Sequence, residues 1–233
     1  MKKKSYGLRF LFDHLIKERK SPCFEVSDSR SIEIIKDPVE YYLALHKLIE
    51  RSHQRISMSA LYLGTGKLEK YLLEKIDRQI TGHQHLKTNI LMDYMRGTRT
   101  TRDGESSYYM LKDLKTKHYQ KDLRCGFYHN PDTGFLKGKG SQSPLREIFG
   151  VHHIKAHVFD SNVLITGANL SEDYFTDRQD RCYIIQDCPA LADYFDDLIS
   201  VLTDVSYNID DSGDLKMLPH YAEPYKQTKK FKN

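Results

Sequence analysis

The chain has 233 residues, a hydrophobic fraction of 39% and a formal net charge of +4, from 36 Lys and Arg against 32 Asp and Glu. That is enough for one domain of good size or two small ones, and the modest positive excess suits an anionic substrate or a membrane surface without requiring nucleic acid. No apolar run approaches the roughly 18 residues of a membrane span, so any action on lipid is peripheral. Cys23, Cys125, Cys182 and Cys188 form no C-x-x-C pair and no zinc spacing, and read as reduced structural thiols of a cytosolic or organellar protein.

Residues 1–30 read as a basic N-terminal extension. Its first part carries Lys2, Lys3, Lys4, Arg9, Lys17, Arg19 and Lys20, interleaved with Leu8, Phe10, Leu11, Phe12, Leu15 and Ile16. This suits an amphipathic helix better than a transit peptide, because Asp13 and Glu18 are present and Ser is scarce. A short strand is expected over 31–35. Asp37-Pro38 then supplies an N-cap and an N1 proline for a helix over 38–51. Ile56, Met58 and Ala60 alternate with polar residues as a second strand. Beyond the Gly64-Thr65-Gly66 turn, Leu68, Leu72, Leu73 and Ile76 have helical spacing. A strand over 89–92 ends at Asp93, and 96–105 is a polar loop whose Arg96, Arg99 and Arg102 read first as solvated, with a phosphate or lipid headgroup as the alternative partner. Either Ser106 or Ser107 caps the helix that carries Tyr109, Met110, Leu111 and Leu114, and 123–128 is another strand.

Residues 130–143, with Pro131, Gly134, Gly138 and Gly140, read as a long functional loop. Strands over 153–159 and 162–166, a helical turn near 171–175, a strand over 181–186 and a helix over 189–203 follow. The stretch from 207 reads as a polar, Lys-rich tail or the start of a second lobe. The alternation of strands and helices argues for an α/β lobe over 31–206, a mixed sheet with helices on its faces.

The chemistry concentrates at His153-Ile154-Lys155. Period-2 geometry puts His153, Lys155, His157 and Phe159 on one face, and a face with two imidazoles and an ammonium should be wet or line a polar pocket. A neutral imidazole can attack phosphorus, Lys155 can neutralise the developing charge, and the amide of Asn169, which follows Gly167-Ala168, can hold a further oxygen. His153 and His157 sit about 13 Å apart along a strand, too far to share a metal, so no cofactor is expected. Asp160, beside the Ser161-Asn162 turn, reads on its own as a turn-stabilising carboxylate. Gly64-Thr65-Gly66-Lys67 departs from a nucleotide loop, with Leu61 and Leu68 where Gly and Ser or Thr belong.

His153, Lys155, Asp160 and Gly167 fill H-x-K-x4-D-x6-G, which resembles the signature of the phospholipase D superfamily. Residues 165–171 (ITGANLS) and 174–181 (YFTDRQDR) narrow the resemblance to the eukaryotic mitochondrial CDP-diacylglycerol–glycerol-3-phosphate 3-phosphatidyltransferases, as do 59–66 (SALYLGTG) and 91–97 (LMDYMRG). The resemblance runs from about residue 31 to 206. It implies a phospholipase D-like fold, a mitochondrial location and peripheral contact with membrane lipid. The implied reaction transfers a phosphatidyl group from CDP-diacylglycerol to glycerol 3-phosphate through a phosphohistidine. It also implies catalytic roles for His153, Lys155 and Asp160, with Lys155 and Asn169 on the phosphate. Asp180 stands where the superfamily often places a carboxylate that orients a catalytic imidazole.

The family carries two copies of the H-x-K-x4-D signature, one per lobe, and this chain carries one; His220-Tyr221-Ala222 is not a second copy. A complete site therefore calls for a second lobe, as in a fragment of a longer chain, or for a homodimer. The alternatives are a homodimeric one-motif phosphodiesterase or nuclease, and an inactive remnant that serves as a binding module.

Overall fold

A computed structural model describes residues 22–130 and 151–224. The expectations for the N-terminal amphipathic helix, the 130–143 loop and the terminal lysines lie almost wholly outside those residues. Nine strands form one mixed sheet: β1 (Ile32–Ile35), β2 (Arg55–Ser59), β3 (Lys87–Asp93), β4 (Leu123–Tyr128), β5 (Ala156–Phe159), β6 (Asn162–Thr166), β7 (Cys182–Ile185), β8 (Tyr207–Ile209) and β9 (Leu215–Met217). Their spatial order is β1-β7-β6-β5-β2-β3-β4-β8-β9. Only β2, β3 and β4 run parallel to one another, and the other pairings are antiparallel.

Parallel neighbours need crossovers, and helices supply them. Between β2 and β3 lies α2 (Lys67–Gly82); between β3 and β4 lie the single-turn α3 (Tyr94–Gly97) and α4 (Ser107–Lys117). Before β2 comes α1 (Pro38–Arg51), opened as its sequence predicts: the Asp37 carboxylate accepts the Glu40 N–H at 2.8 Å, with Pro38 at the first helical position. The C-terminal part adds α5 (Glu172–Thr176) and α6 (Pro189–Asp204).

The apolar stripes of these helices explain the layers. Tyr41, Leu45 and Ile49 of α1 and Leu72, Ile76 and Ile80 of α2 recur four apart and are buried on one face of the sheet, with Leu111, Leu114 and Phe175. The opposite face takes α6, whose Ala192 packs on Val158 and Val163. Helices thus cover both faces of a mixed sheet, the architecture expected from the alternation. Residues 207–217 differ from a tail: β8 pairs with β4 and β9 with β8, so this stretch extends the same sheet. Three-residue strands are too short to leave a periodic signal. Among the described residues no helix is long and apolar enough to cross a membrane.

Candidate active site

The outgoing ends of the parallel strands β2 and β3 lie at one sheet edge, and there the segment before β5 meets the turn after β6. Open α/β sheets hold their ligands at such an edge. The H-x-K residues sit just outside regular structure, because β5 begins at Ala156 and not at His153. The Thr166 N–H still donates to the Lys155 carbonyl at 3.1 Å, the last tie of this ladder.

His153 is exposed, while Lys155 is only 5% exposed. Partial burial, and then the nearby Lys155 charge, lower the His153 pKa from its ordinary value and favour the neutral ring that a nucleophile requires. Burial also lowers the Lys155 pKa, opposed by the charge of Asp180. The Lys155 ammonium donates to the His153 carbonyl at 3.3 Å, which fixes the cation against the histidine's own backbone. Asn169 is buried at 6% exposure, and its side-chain oxygen lacks a hydrogen-bond partner among the described residues. Gly167 leaves room for Asp180: a Cβ there would lie 2.3 Å from an Asp180 carboxylate oxygen. His153, Lys155, Asn169 and Asp180 therefore gather at one edge.

Asp160 is elsewhere. It ends β5 at φ 52, about 16 Å of strand rise from Lys155. Its carboxylate accepts the backbone N–H groups of His53 at 2.9 Å, Gln54 at 2.8 Å and Arg55 at 2.9 Å. This ties the β5–β6 turn to the entry of β2, the turn-stabilising role read from its setting. The expectation of a wet face fails at His157. That ring is fully buried, both nitrogens lack partners among the described residues, and burial followed by the Lys155 charge lowers its pKa to about 3. Alternation assigns a face; depth along the strand decides its wetness. Only the outer part of this face, at His153, reaches solvent.

Two polar groups at the same edge escape sequence reasoning. Glu69 is buried at 2% exposure and takes the Glu172 N–H on one carboxylate oxygen at 2.6 Å, closing the start of α5; its other oxygen has no hydrogen-bond partner among the described residues. A Cβ at Gly64 would lie 2.2 Å from the Glu69 carboxylate, so the Gly64-Thr65-Gly66 turn makes room for an internal acid, not a phosphate. The second group, Ser59 with Asp93 and His152, lies against the motif segment itself. Arg96 stacks over Tyr62 at 5.4 Å from the ring centroid. A cavity of about 420 Å³ between β1 and α1, lined by Glu33, Lys36, Leu43, Lys47 and Arg51, contains none of the motif residues. The open edge is the better candidate, since the reactive side chains are there. Among the described residues no three His, Cys, Asp or Glu side chains converge as a metal site.

This is the fold of the phospholipase D superfamily. Phosphatidylserine synthase from Haemophilus influenzae matches with a TM-score of 0.62 at 23% identity, over 81% of this chain and 40% of that one. The phospholipase D family member Nuc from Salmonella typhimurium matches with a TM-score of 0.55 at 15% identity, over 77% and 97%. In sequence, the chain is 36% identical over 214 residues, 91% of its length, to a probable CDP-diacylglycerol–glycerol-3-phosphate 3-phosphatidyltransferase of Dictyostelium discoideum. It is 32% identical over 211 residues, 88% of its length, to the mitochondrial enzyme of that name from Homo sapiens. The chain spans only 36% and 37% of those two relatives. No protein-family profile matches it.

Proposed function

We propose that the chain is one lobe of a phosphatidyltransferase that moves a phosphatidyl group from CDP-diacylglycerol to glycerol 3-phosphate. The observation that carries this reading is the meeting of a neutral, exposed His153 with the buried Lys155 ammonium at one sheet edge, with the buried Asn169 on the turn after β6. A neutral His153 ring nitrogen attacks the phosphatidyl phosphorus. The bond from that phosphorus to the CMP oxygen breaks, and CMP leaves with a proton from a general acid. The glycerol 3-phosphate hydroxyl then attacks the phosphohistidine, giving its proton to the group that protonated CMP; the P–N bond breaks and the ring returns to its neutral form. Lys155 and Asn169 hold the non-bridging oxygens as charge builds. Asp180 sets the charge around Lys155, and Asp160 holds the turn. The general acid is a second histidine from a further lobe or a second copy, since the full H-x-K-x4-D-x6-G signature occurs once in the chain. Because CDP-diacylglycerol resides in a bilayer, the contact with lipid is peripheral. The relatives named mitochondrial support the same location here.

The test is release of CMP from CDP-diacylglycerol, dependent on glycerol 3-phosphate and abolished by His153→Ala. The single motif also supports a second reading, a homodimeric phosphodiesterase or nuclease. Free phosphatidate or nicked DNA in place of phosphatidylglycerophosphate would favour it.

A further inference from the structure

The segment that presents His153 is held by side chains where a ladder would otherwise hold it. From the geometry we infer that Ser59, Asp93 and His152 form a positioning clamp that aims His153. Ser59 and Asp93 are the last residues of β2 and β3, and both are buried. The Asp93 carboxylate accepts the His152 N–H on one oxygen at 2.8 Å and the Arg96 N–H on the other at 2.9 Å. The Ser59 hydroxyl lies 3.0 Å from the Ile154 carbonyl and 2.6 Å from the His152 Nε2. A carbonyl only accepts, so the Ser59 hydrogen goes to Ile154 and the His152 Nε2–H donates to Ser59. The His152 ring is thus fixed as one tautomer, is 5% exposed, and lies 5.9 Å from the Tyr128 ring. Residues on both sides of His153 are pinned, so its exposed ring has little freedom except about its own side-chain torsions.

Aim matters because a misplacement of about 1 Å can cost about a hundredfold in rate. The clamp touches no reacting atom; it acts through the backbone of 152–154. It deepens the phosphatidyltransferase reading, but its own test does not depend on turnover. The full chain and its Ser59→Ala and Asp93→Ala variants are compared by amide hydrogen exchange. Protection at residues 152–155 should fall about tenfold or more in both variants, while the Ile199 amide in α6 stays within about twofold. Unchanged protection at 152–155, or equal loss at Ile199, overturns the clamp. Where the parent chain turns over, kcat should fall about tenfold or more with KM for CDP-diacylglycerol nearly constant. A parent chain that releases no CMP counts against the transferase reading alone, and the exchange result still decides the clamp.

Discussion

His157→Leu should make the protein less sensitive to acid, by an amount the structure fixes. The ring is fully buried between Met58 and Leu164 on the flanking strands, beside Phe159 at 6.5 Å between ring centroids. Neither nitrogen has a partner among the described residues, and the pKa falls from 6.5 to about 3 through burial and then Lys155. Folding therefore favours the neutral ring. Its contribution is complete above pH 6.5 and drains away as the pH falls toward 3. At pH 5 an unfolded ring of ordinary pKa is about thirtyfold more protonated than neutral, which costs the folded state about 2 kcal/mol relative to pH 7. That figure depends little on whether the folded value is 3 or a unit higher, because the folded ring is neutral at pH 5 in either case.

Leucine has a similar volume and no polar atoms, so the variant should be at least as stable as the parent at neutral pH; an unsatisfied buried group costs about 1–3 kcal/mol. Urea unfolding of parent and variant at the two pH values gives the result as a double difference. His152, lowered to about 4 by burial, then Lys155 and His153, acts in the same direction. Asp93, raised to about 6 chiefly by burial, acts in the opposite one. Both are present in the two proteins and cancel. The stability gap should widen by about 2 kcal/mol in favour of leucine between pH 7 and pH 5. A gap of the same size at both pH values would refute the burial of a neutral His157.

Asp160→Ala should destabilise the fold by about 2–4 kcal/mol in urea, since three backbone N–H groups lose an ionised acceptor, while the His153 titration stays where it is. A variant of normal stability, or one whose His153 titration moves, would argue that Asp160 belongs to the reacting group. Lys155→Met should raise the His153 pKa, because the lysine charge is one of the two causes that lower it; imidazole resonances followed by NMR against pH measure this, and an unmoved titration would separate the two residues.

Much of the fold was legible because its signals are local. Asp37-Pro38 marks the start of α1 without tertiary knowledge, and the four-residue recurrence in α1 and α2 names their buried faces. Ser106 and Ser107 show the limit. Ser106 caps α4, and Ser107 instead exchanges hydrogen bonds with the backbone of Leu63 at 3.0 and 2.6 Å, a contact across 44 residues that no local pattern encodes. The candidate site divides in the same way. Residue types and spacing disclose His153, Lys155 and Asn169, whereas the partners of Asp160, over a hundred residues away, and the depth of His157 are properties of the assembled sheet.

The carboxylates that the sequence leaves unassigned sharpen the case for Lys155. A helix N-terminus is a ready anion site, and three helices begin at this sheet edge. Two of these starts are already occupied: Glu69 takes the Glu172 N–H at the start of α5, and Asp93 accepts the Arg96 N–H at the start of α3. A phosphate arriving at the edge meets internal carboxylates where helix dipoles would otherwise draw it. In the proposed reaction its charge then falls to side chains, and the buried Lys155 beside the exposed imidazole of His153 is the proposed receiver. Internal acids at these helix starts leave Lys155 as the buried cation beside the proposed nucleophile His153.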